Sequence, residues 1–78
     1  MNWSNDRCPV CRQDAREALP RMGDFAEIIC DDCGQYRISG SSLEVMRHED
    51  DADVRKAALR HAVQSADGHM PFIKGFGG

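Results

Sequence analysis

Four cysteines are the residues whose type and spacing predict chemistry in this sequence. Cys8 and Cys11 form one C-x-x-C pair, Cys30 and Cys33 form a second, and eighteen residues separate the two pairs. Two residues between thiolates make a tight turn, here called a knuckle, whose sulfurs can occupy two corners of a tetrahedron. Two knuckles complete the coordination of one Zn²⁺ ion at Zn–S distances of about 2.3 Å. The spacing therefore predicts one zinc ion per chain, bound by these four sulfurs.

The predicted zinc site is structural, because four thiolates fill the coordination sphere of zinc and leave no position for water or substrate. The histidines (His48, His61 and His69) show no ligand spacing with one another or with an acidic residue. No Ser-His-Asp arrangement, glycine-rich phosphate loop or pair of catalytic carboxylates stands out. We therefore predict no catalytic residue, no small-molecule substrate and no enzymatic activity.

Other roles for the cysteine pairs are a disulfide, a redox-active pair or an iron centre in the same cage of four sulfurs. No strand–helix–strand pattern surrounds either pair, which weakens the thioredoxin-like interpretation. An iron centre is chemically permitted, and its colour would distinguish it from zinc. Structural zinc is the interpretation that the spacing favours most.

Length and composition favour a metal for a separate reason. A chain of 78 residues forms a single domain, 1–78, near the lower size limit at which hydrophobic burial alone stabilises a fold. The N-terminus has no apolar run, and no stretch approaches the roughly 20 apolar residues of a membrane span. We therefore expect a cytoplasmic protein without membrane contact. In that reducing compartment cysteine pairs more often bind metals than form disulfides.

Residues 7–40 predict a zinc ribbon made of a β-hairpin or of three short antiparallel strands. Strand-favouring residues precede and follow the second cysteine pair, at 25–29 and 35–39. The segment 15–19 has a helix-friendly composition, but it is short and ends at a proline. We assign it as an edge strand of the ribbon.

Residues 41–67 predict one short helix followed by one longer helix. Ser41 is expected to be the N-cap of the first helix, with Glu44 completing a capping box. The acidic cluster around Asp51 is expected to start the second helix, because carboxylates suit the positive end of the helix dipole. The tail 68–78 is predicted to be either flexible or docked on the core. The predicted fold class is a small metal-stabilised α+β domain.

The segments CPVC (8–11) and CDDCGQYRISG (30–40) resemble small bacterial zinc-ribbon proteins of largely uncharacterised function. In that family a C-P-x-C knuckle precedes C-x-x-C-G-x-Y-x-I-[ST]-G and a helical segment. The resemblance implies a zinc-dependent fold and provides no activity to transfer. One difference is Arg12, where the family has a glycine. If this position requires a positive φ, the arginine is strained by roughly 1 kcal/mol.

The function predicted from these features is that of an interaction module, in which zinc stiffens a surface for a protein partner. The apolar tail residues Phe72, Ile73 and Phe76 are candidates for the contact. The formal charge of −3, which becomes about −5 with four thiolates and Zn²⁺ bound, argues against indiscriminate binding to nucleic-acid phosphates.

The alternative function is nucleic-acid binding through a local basic face. Arg12, Arg37, Lys56 and Arg60 could contact phosphates, with Tyr36 as a ring on which a base stacks. Solvated surface is the simpler explanation for these charges, because charged side chains are mostly exposed in any soluble domain.

Overall fold

The computed structural model describes residues 2–19 and 23–76 and contains one five-stranded sheet and two helices. The strands are β1 (Asn2–Arg7), β2 (Asp14–Leu19), β3 (Phe25–Cys30), β4 (Gly34–Ser39) and β5 (Phe72–Ile73). The helices are α1 (Gly40–Arg47) and α2 (Ala52–Ala66). The α+β class predicted from the sequence is confirmed. The predicted count of three strands is wrong, because β1 and β5 join the three that were expected.

The strands lie in the sheet in the order of the chain. The first four pair antiparallel with their neighbours, whereas β5 pairs parallel to β4 through Arg37 with Phe72 and Ile38 with Ile73. In such a meander, every second turn lies at the same end of the sheet. The β1–β2 turn and the β3–β4 turn are therefore neighbours, and these two turns carry the two knuckles.

One face of the sheet forms the core with the helices. Strand alternation directs Ala26, Ile28 and Cys30 of β3 inward and leaves the residues between them half-buried. Buried residues of the other elements join the same cluster: Tyr36, Ile38, Leu43, Met46, Ala62 and Ile73. The helices are thus held on the sheet by a small number of apolar contacts.

The start of α1 differs from the prediction. Ser39, at the end of β4, is the N-cap, and its hydroxyl oxygen accepts a hydrogen bond from the backbone N–H of Ser42 at 3.2 Å. The Ser39 hydroxyl also donates to Ser42 Oγ at 2.7 Å. The predicted capping box of Ser41 and Glu44 is therefore wrong. The extended backbone of β4 places a serine at the cap two residues earlier, and both predicted residues are exposed.

The start of α2 agrees with the prediction, and its packing is sparse. Asp51 is the N-cap and accepts a hydrogen bond from the N–H of Asp53 at 2.9 Å. The helix ends at Ala66, and the C-cap residue that follows, Asp67, has the left-handed backbone conformation. Only Arg55 and Ala62 of its fifteen residues are buried.

No helix among the described residues is long and apolar enough to cross a lipid bilayer.

The tail docks on the core as far as it is described, up to residue 76. Pro71 accepts a hydrogen bond from the N–H of Arg37 at 2.8 Å, and the N–H of Phe76 donates to Ser42 Oγ at 3.0 Å. Ile73 is 3% exposed and belongs to the core cluster. Its proposed role as a partner contact is therefore corrected, because the side chain packs inside its own chain. The last two residues of the predicted tail, 77 and 78, lie outside the described residues.

Two serine variants test the observed helix cap. We expect Ser39→Ala to lower the free energy of unfolding by about 1 kcal/mol, because it removes the N-cap oxygen. Ser41→Ala changes an exposed position and is expected to stay within about 0.5 kcal/mol of the wild type. Urea denaturation of the metal-loaded proteins measures both values. Equal losses, or a larger loss for Ser41→Ala, would contradict the assigned cap.

Candidate metal centre

The four cysteine sulfurs form one cluster at the end of the sheet where the two turns meet. Their Sγ atoms all lie within 4.8 Å of one another, and those of Cys11 and Cys30 are 3.5 Å apart. Four sulfurs bound tetrahedrally at about 2.3 Å from zinc are separated by roughly 3.8 Å, whereas a disulfide needs about 2.05 Å. All four are free cysteines. The cluster has the dimensions of a metal site and is not a pair of disulfides.

The first knuckle is a hydrogen-bonded turn between β1 and β2. The N–H of Arg12 donates to the carbonyl of Cys8 at 2.8 Å, and the N–H of Cys8 donates to the carbonyl of Gln13 at 2.8 Å. The backbone amides of Val10 and Cys11 donate to the Cys8 sulfur, and the amide of Gln13 donates to the Cys11 sulfur. Amide donors of this kind stabilise thiolates, which are the form that binds a metal.

The second knuckle is the turn of the β3–β4 hairpin. Cys30 closes β3 and pairs with Gly34, which opens β4, so residues 31–33 span the turn. Gly34 has a φ of +83°, and a Cβ built there would meet no atom within 4 Å. Backbone conformation, and not lack of space, therefore explains the glycine after the last cysteine.

Tyr36 supports the cluster from inside the core. Its hydroxyl oxygen lies 3.0 Å from Cys8 Sγ, and the residue is fully buried. Burial raises the pKa of Tyr36, and the contact with Cys8 raises it further, so the phenol keeps its proton and donates to the sulfur. The proposed role of Tyr36 as a base-stacking ring is therefore corrected, because the ring is not on the surface.

The cysteines differ in their readiness to ionise. Burial favours the neutral thiol of Cys8, but hydrogen bonds from Tyr36 and from the amides of Cys11 and Val10 outweigh it, and the pKa is lowered. Burial raises the pKa of Cys11 and that of Cys33, and the nearby Cys8 raises both further. Four ionised sulfurs this close repel one another, so a bound cation is needed for all of them to be thiolates together.

Arg12 connects the first knuckle to α1. Its φ is +67°, in the left-handed region that glycine adopts most readily. Its Nη2 lies 3.1, 3.2 and 2.9 Å from the carbonyl oxygens of Met46, Arg47 and Glu49, respectively. A guanidinium suits the carbonyls of Met46 and Arg47 because they belong to the negative end of the helix dipole of α1. The partner contact at Arg12 stays a prediction, and its guanidinium is already bound to its own chain.

Arg55 makes the matching connection from α2, and the sequence interpretation missed it. The residue is 5% exposed. Its Nε donates to the carbonyl of Val10 inside the first knuckle at 2.8 Å, and its Nη1 donates to the carbonyl of Glu49 at 2.6 Å. Its spacing to Ala58, Leu59 and Ala62 places it on the inward side of α2 and could have identified it.

The remaining candidate contacts lie on two separate surfaces. Arg37 lies on the sheet face away from the helices, with Nε 3.1 Å from Glu27 Oε1 and the guanidinium 5.2 Å from the centre of the Phe25 ring. Phe72 is exposed on the same face, with its ring centre 5.7 Å from that of Phe25.

Lys56 and Arg60 are exposed on α2 beside the knuckles. Phe76 is partly buried against the core. The predicted basic residues therefore do not form one continuous face.

Comparisons of the chain with models of protein families, with curated proteins and with solved structures find no significant match in any of the three. The conclusion for this site is that four cysteines lie within metal-binding distance in an arrangement compatible with a zinc-binding motif.

Tyr36→Phe tests the support that the core gives to the cluster. We expect the variant to bind zinc about tenfold more weakly, because Cys8 loses a hydrogen bond while the ring volume is kept. Competition with a chelator of known zinc affinity measures the change. Phe72→Leu removes an exposed ring that touches no cysteine and serves as the control with unchanged affinity. Wild-type affinity in Tyr36→Phe would show that the hydroxyl does not support the site.

Proposed function

We propose that Cys8, Cys11, Cys30 and Cys33 hold one structural Zn²⁺ ion and that the chain is a zinc-ribbon module which binds a protein partner. The observation that supports the metal site is the cluster of four cysteine sulfurs, which lie within 4.8 Å of one another. Soft thiolate ligands in a tetrahedral set favour zinc or iron, and zinc, unlike iron, is not redox-active. The motifs CPVC and CDDCGQYRISG, which resemble small zinc-ribbon proteins, support zinc.

A structural role fits the ligand set better than a catalytic one. Four protein sulfurs leave no position on the metal for water or substrate, so the ion would act on the fold and not on a reactant. Ligands that must stay reduced also fit our expectation of a cytoplasmic location, where free thiols persist.

The sparse packing of α2 supports a protein partner. Val54 is 41% exposed and Val63 is 51% exposed, and they lie on opposite sides of the helix. Each side faces a groove with apolar walls. One groove, of about 460 Å³, lies between α2 and the tail and includes Phe76. The other, of about 500 Å³, lies between α2 and the knuckles and includes Leu59. A helix with apolar residues beside two grooves is a surface that a partner can cover.

Nucleic-acid binding stays the alternative function and has less support. Arg12 and Arg37 make hydrogen bonds within the chain, and the Tyr36 ring is buried. Of the five residues proposed for this function, Lys56 and Arg60 are the two whose side chains are exposed and lie side by side.

Affinity capture from a host lysate, with and without nuclease, tests the proposed function. We expect zinc-loaded protein to retain protein partners after nuclease treatment. Val63→Glu is expected to lose them, because it adds a charge to the apolar wall beside the knuckles. Gln64→Glu adds the same charge at an exposed position that lines neither groove, and it should capture the same partners as the wild type.

Two results would contradict the protein-partner proposal. One is recovery that collapses with nuclease, which would favour the nucleic-acid alternative. The other is a Val63→Glu variant that folds, binds zinc and still captures the same proteins as the wild type.

A further inference from the structure

The four cysteines differ in how far solvent reaches them. Cys8 and Cys30 are 0% and 3% exposed, whereas Cys11 and Cys33 are half-buried. Of the four, Cys11 and Cys33 line the open groove of about 500 Å³ between α2 and the knuckles. Small molecules in solution can therefore reach one cysteine of each knuckle while the chain stays folded.

Cys11 combines this access with a contact between the knuckles. Its Sγ lies 3.5 Å from the Sγ of Cys30, a buried sulfur of the other knuckle. A disulfide bond is about 2.05 Å long, so the two sulfurs would have to approach by roughly 1.5 Å to form one. Cysteines that respond to oxidants are accessible to solvent and have a second cysteine beside them that completes the disulfide. Cys11 and Cys30 have this arrangement.

The other cysteine of the first knuckle is less suited to the second step. Cys8 accepts hydrogen bonds from the Tyr36 hydroxyl, at 3.0 Å, and from the backbone amides of Val10 and Cys11. These donors occupy lone pairs of the Cys8 sulfur and lower its nucleophilicity. The pair that joins the two knuckles is therefore favoured over the pair within one C-x-x-C motif, which a thioredoxin-like site would use.

We propose that hydrogen peroxide oxidises Cys11 and that the product is a cross-knuckle disulfide between Cys11 and Cys30. The half-buried sulfur meets the oxidant, and the buried sulfur beside it completes the disulfide. This inference rests on the proposed zinc module and adds a chemical response to it, the release of the metal by an oxidant. It differs from the action of a redox-active C-x-x-C pair, because the two sulfurs come from different knuckles.

The chemistry takes two steps. The Cys11 thiolate attacks one oxygen of the peroxide, the O–O bond breaks, and hydroxide leaves and is protonated to water, so that Cys11 becomes a sulfenic acid. The Cys30 sulfur then attacks the Cys11 sulfur, the S–O bond breaks, and a second hydroxide leaves and is protonated. The two sulfurs together lose two electrons, which reduce one peroxide to two water molecules.

The disulfide removes two of the four metal ligands. Cys8 and Cys33 alone supply half of a tetrahedral set, so we expect zinc to be released. The new bond would keep the first knuckle attached to the end of β3. Val10, next to Cys11, accepts a hydrogen bond from Arg55 Nε at 2.8 Å, so a movement of Cys11 would also reach α2. Oxidation would thus act on the helix that carries the proposed partner surface.

Disulfide mapping of the wild-type protein tests the inference. Native mass spectrometry first establishes one zinc per chain. The protein is then treated with increasing amounts of hydrogen peroxide, quenched with catalase, denatured and alkylated with N-ethylmaleimide. Fragment-ion sequencing of the linked tryptic peptides 8–12 and 22–37 assigns the sulfurs. We expect the Cys11–Cys30 disulfide as the main product, formed in step with zinc release to a colorimetric chelator, and reversed by dithiothreitol with added zinc.

Tyr36→Phe tests why Cys8 does not take part. The variant, loaded with excess zinc, removes one hydrogen bond from the Cys8 sulfur and keeps the ring. We expect the share of the Cys8–Cys11 disulfide to rise at least about twofold, because Cys8 becomes a better nucleophile. Phe72→Leu, which changes an exposed ring, is the control and should give the wild-type products. Identical products from Tyr36→Phe and the wild type would contradict the explanation for Cys8.

Three results would overturn the inference. They are a main product within one knuckle or with any pairing other than Cys11–Cys30, release of zinc while Cys11 and Cys30 stay open to alkylation, and retention of zinc in excess peroxide. Failure of the proposed zinc module would appear earlier, as a native mass spectrum without zinc before any peroxide is added. The two failures are therefore distinguishable on the same sample.

Discussion

The constraint on which the rest of the structure depends is that four cysteine sulfurs lie within metal-binding distance of one another. The sulfurs come from two turns that are far apart in the sequence and adjacent at one end of the sheet. One turn joins β1 to β2 and the other joins β3 to β4. An ion bound there would clamp the two hairpins together at that end. Without a cation, the same four sulfurs would either be thiolates that repel one another or be protonated thiols. A bound metal ion would allow all four to be thiolates at these distances.

The metal centre and the hydrophobic core form a single unit. Cys8 and Cys30 belong to the buried cluster, and Tyr36 reaches from that cluster to the Cys8 sulfur. Arg12 and Arg55 extend the connection to both helices through carbonyl groups of the first knuckle and of the end of α1. Since few large side chains are fully buried, the core contributes little on its own, as expected for a chain of this size. Loss of the ion should therefore affect the helices as well as the turns.

The sequence predicted those features that depend on local patterns. The spacing of the cysteines identified the cluster, strand-favouring residues identified β3 and β4, and an acidic cluster marked the start of α2. The edge strands were missed for physical reasons. β1 is polar apart from Trp3 and is held by backbone pairing with β2. β5 has two residues and exists only because the tail docks beside β4. Neither leaves a periodic pattern in the sequence.

Side-chain roles that depend on packing were also missed. Tyr36 alternates with polar residues as a strand residue should, but alternation alone did not show that its hydroxyl reaches a sulfur. Arg55 was not singled out from the sequence, although its spacing matched the inward side of α2. The N-cap was misplaced by two residues, because Ser39, Ser41 and Ser42 are alike in sequence and the end of β4 decides among them.

The most direct test of the account is an NMR spectrum of the reduced, isotope-labelled protein before and after removal of its metal. Native mass spectrometry first establishes the bound ion, which we predict to be one zinc per chain. After a strong chelator is added, we predict that the dispersed amide resonances of β3, β4 and α2 collapse, and that they return when zinc is restored. A reduced, metal-free protein that keeps these dispersed resonances would contradict the claim that the metal centre holds the fold together.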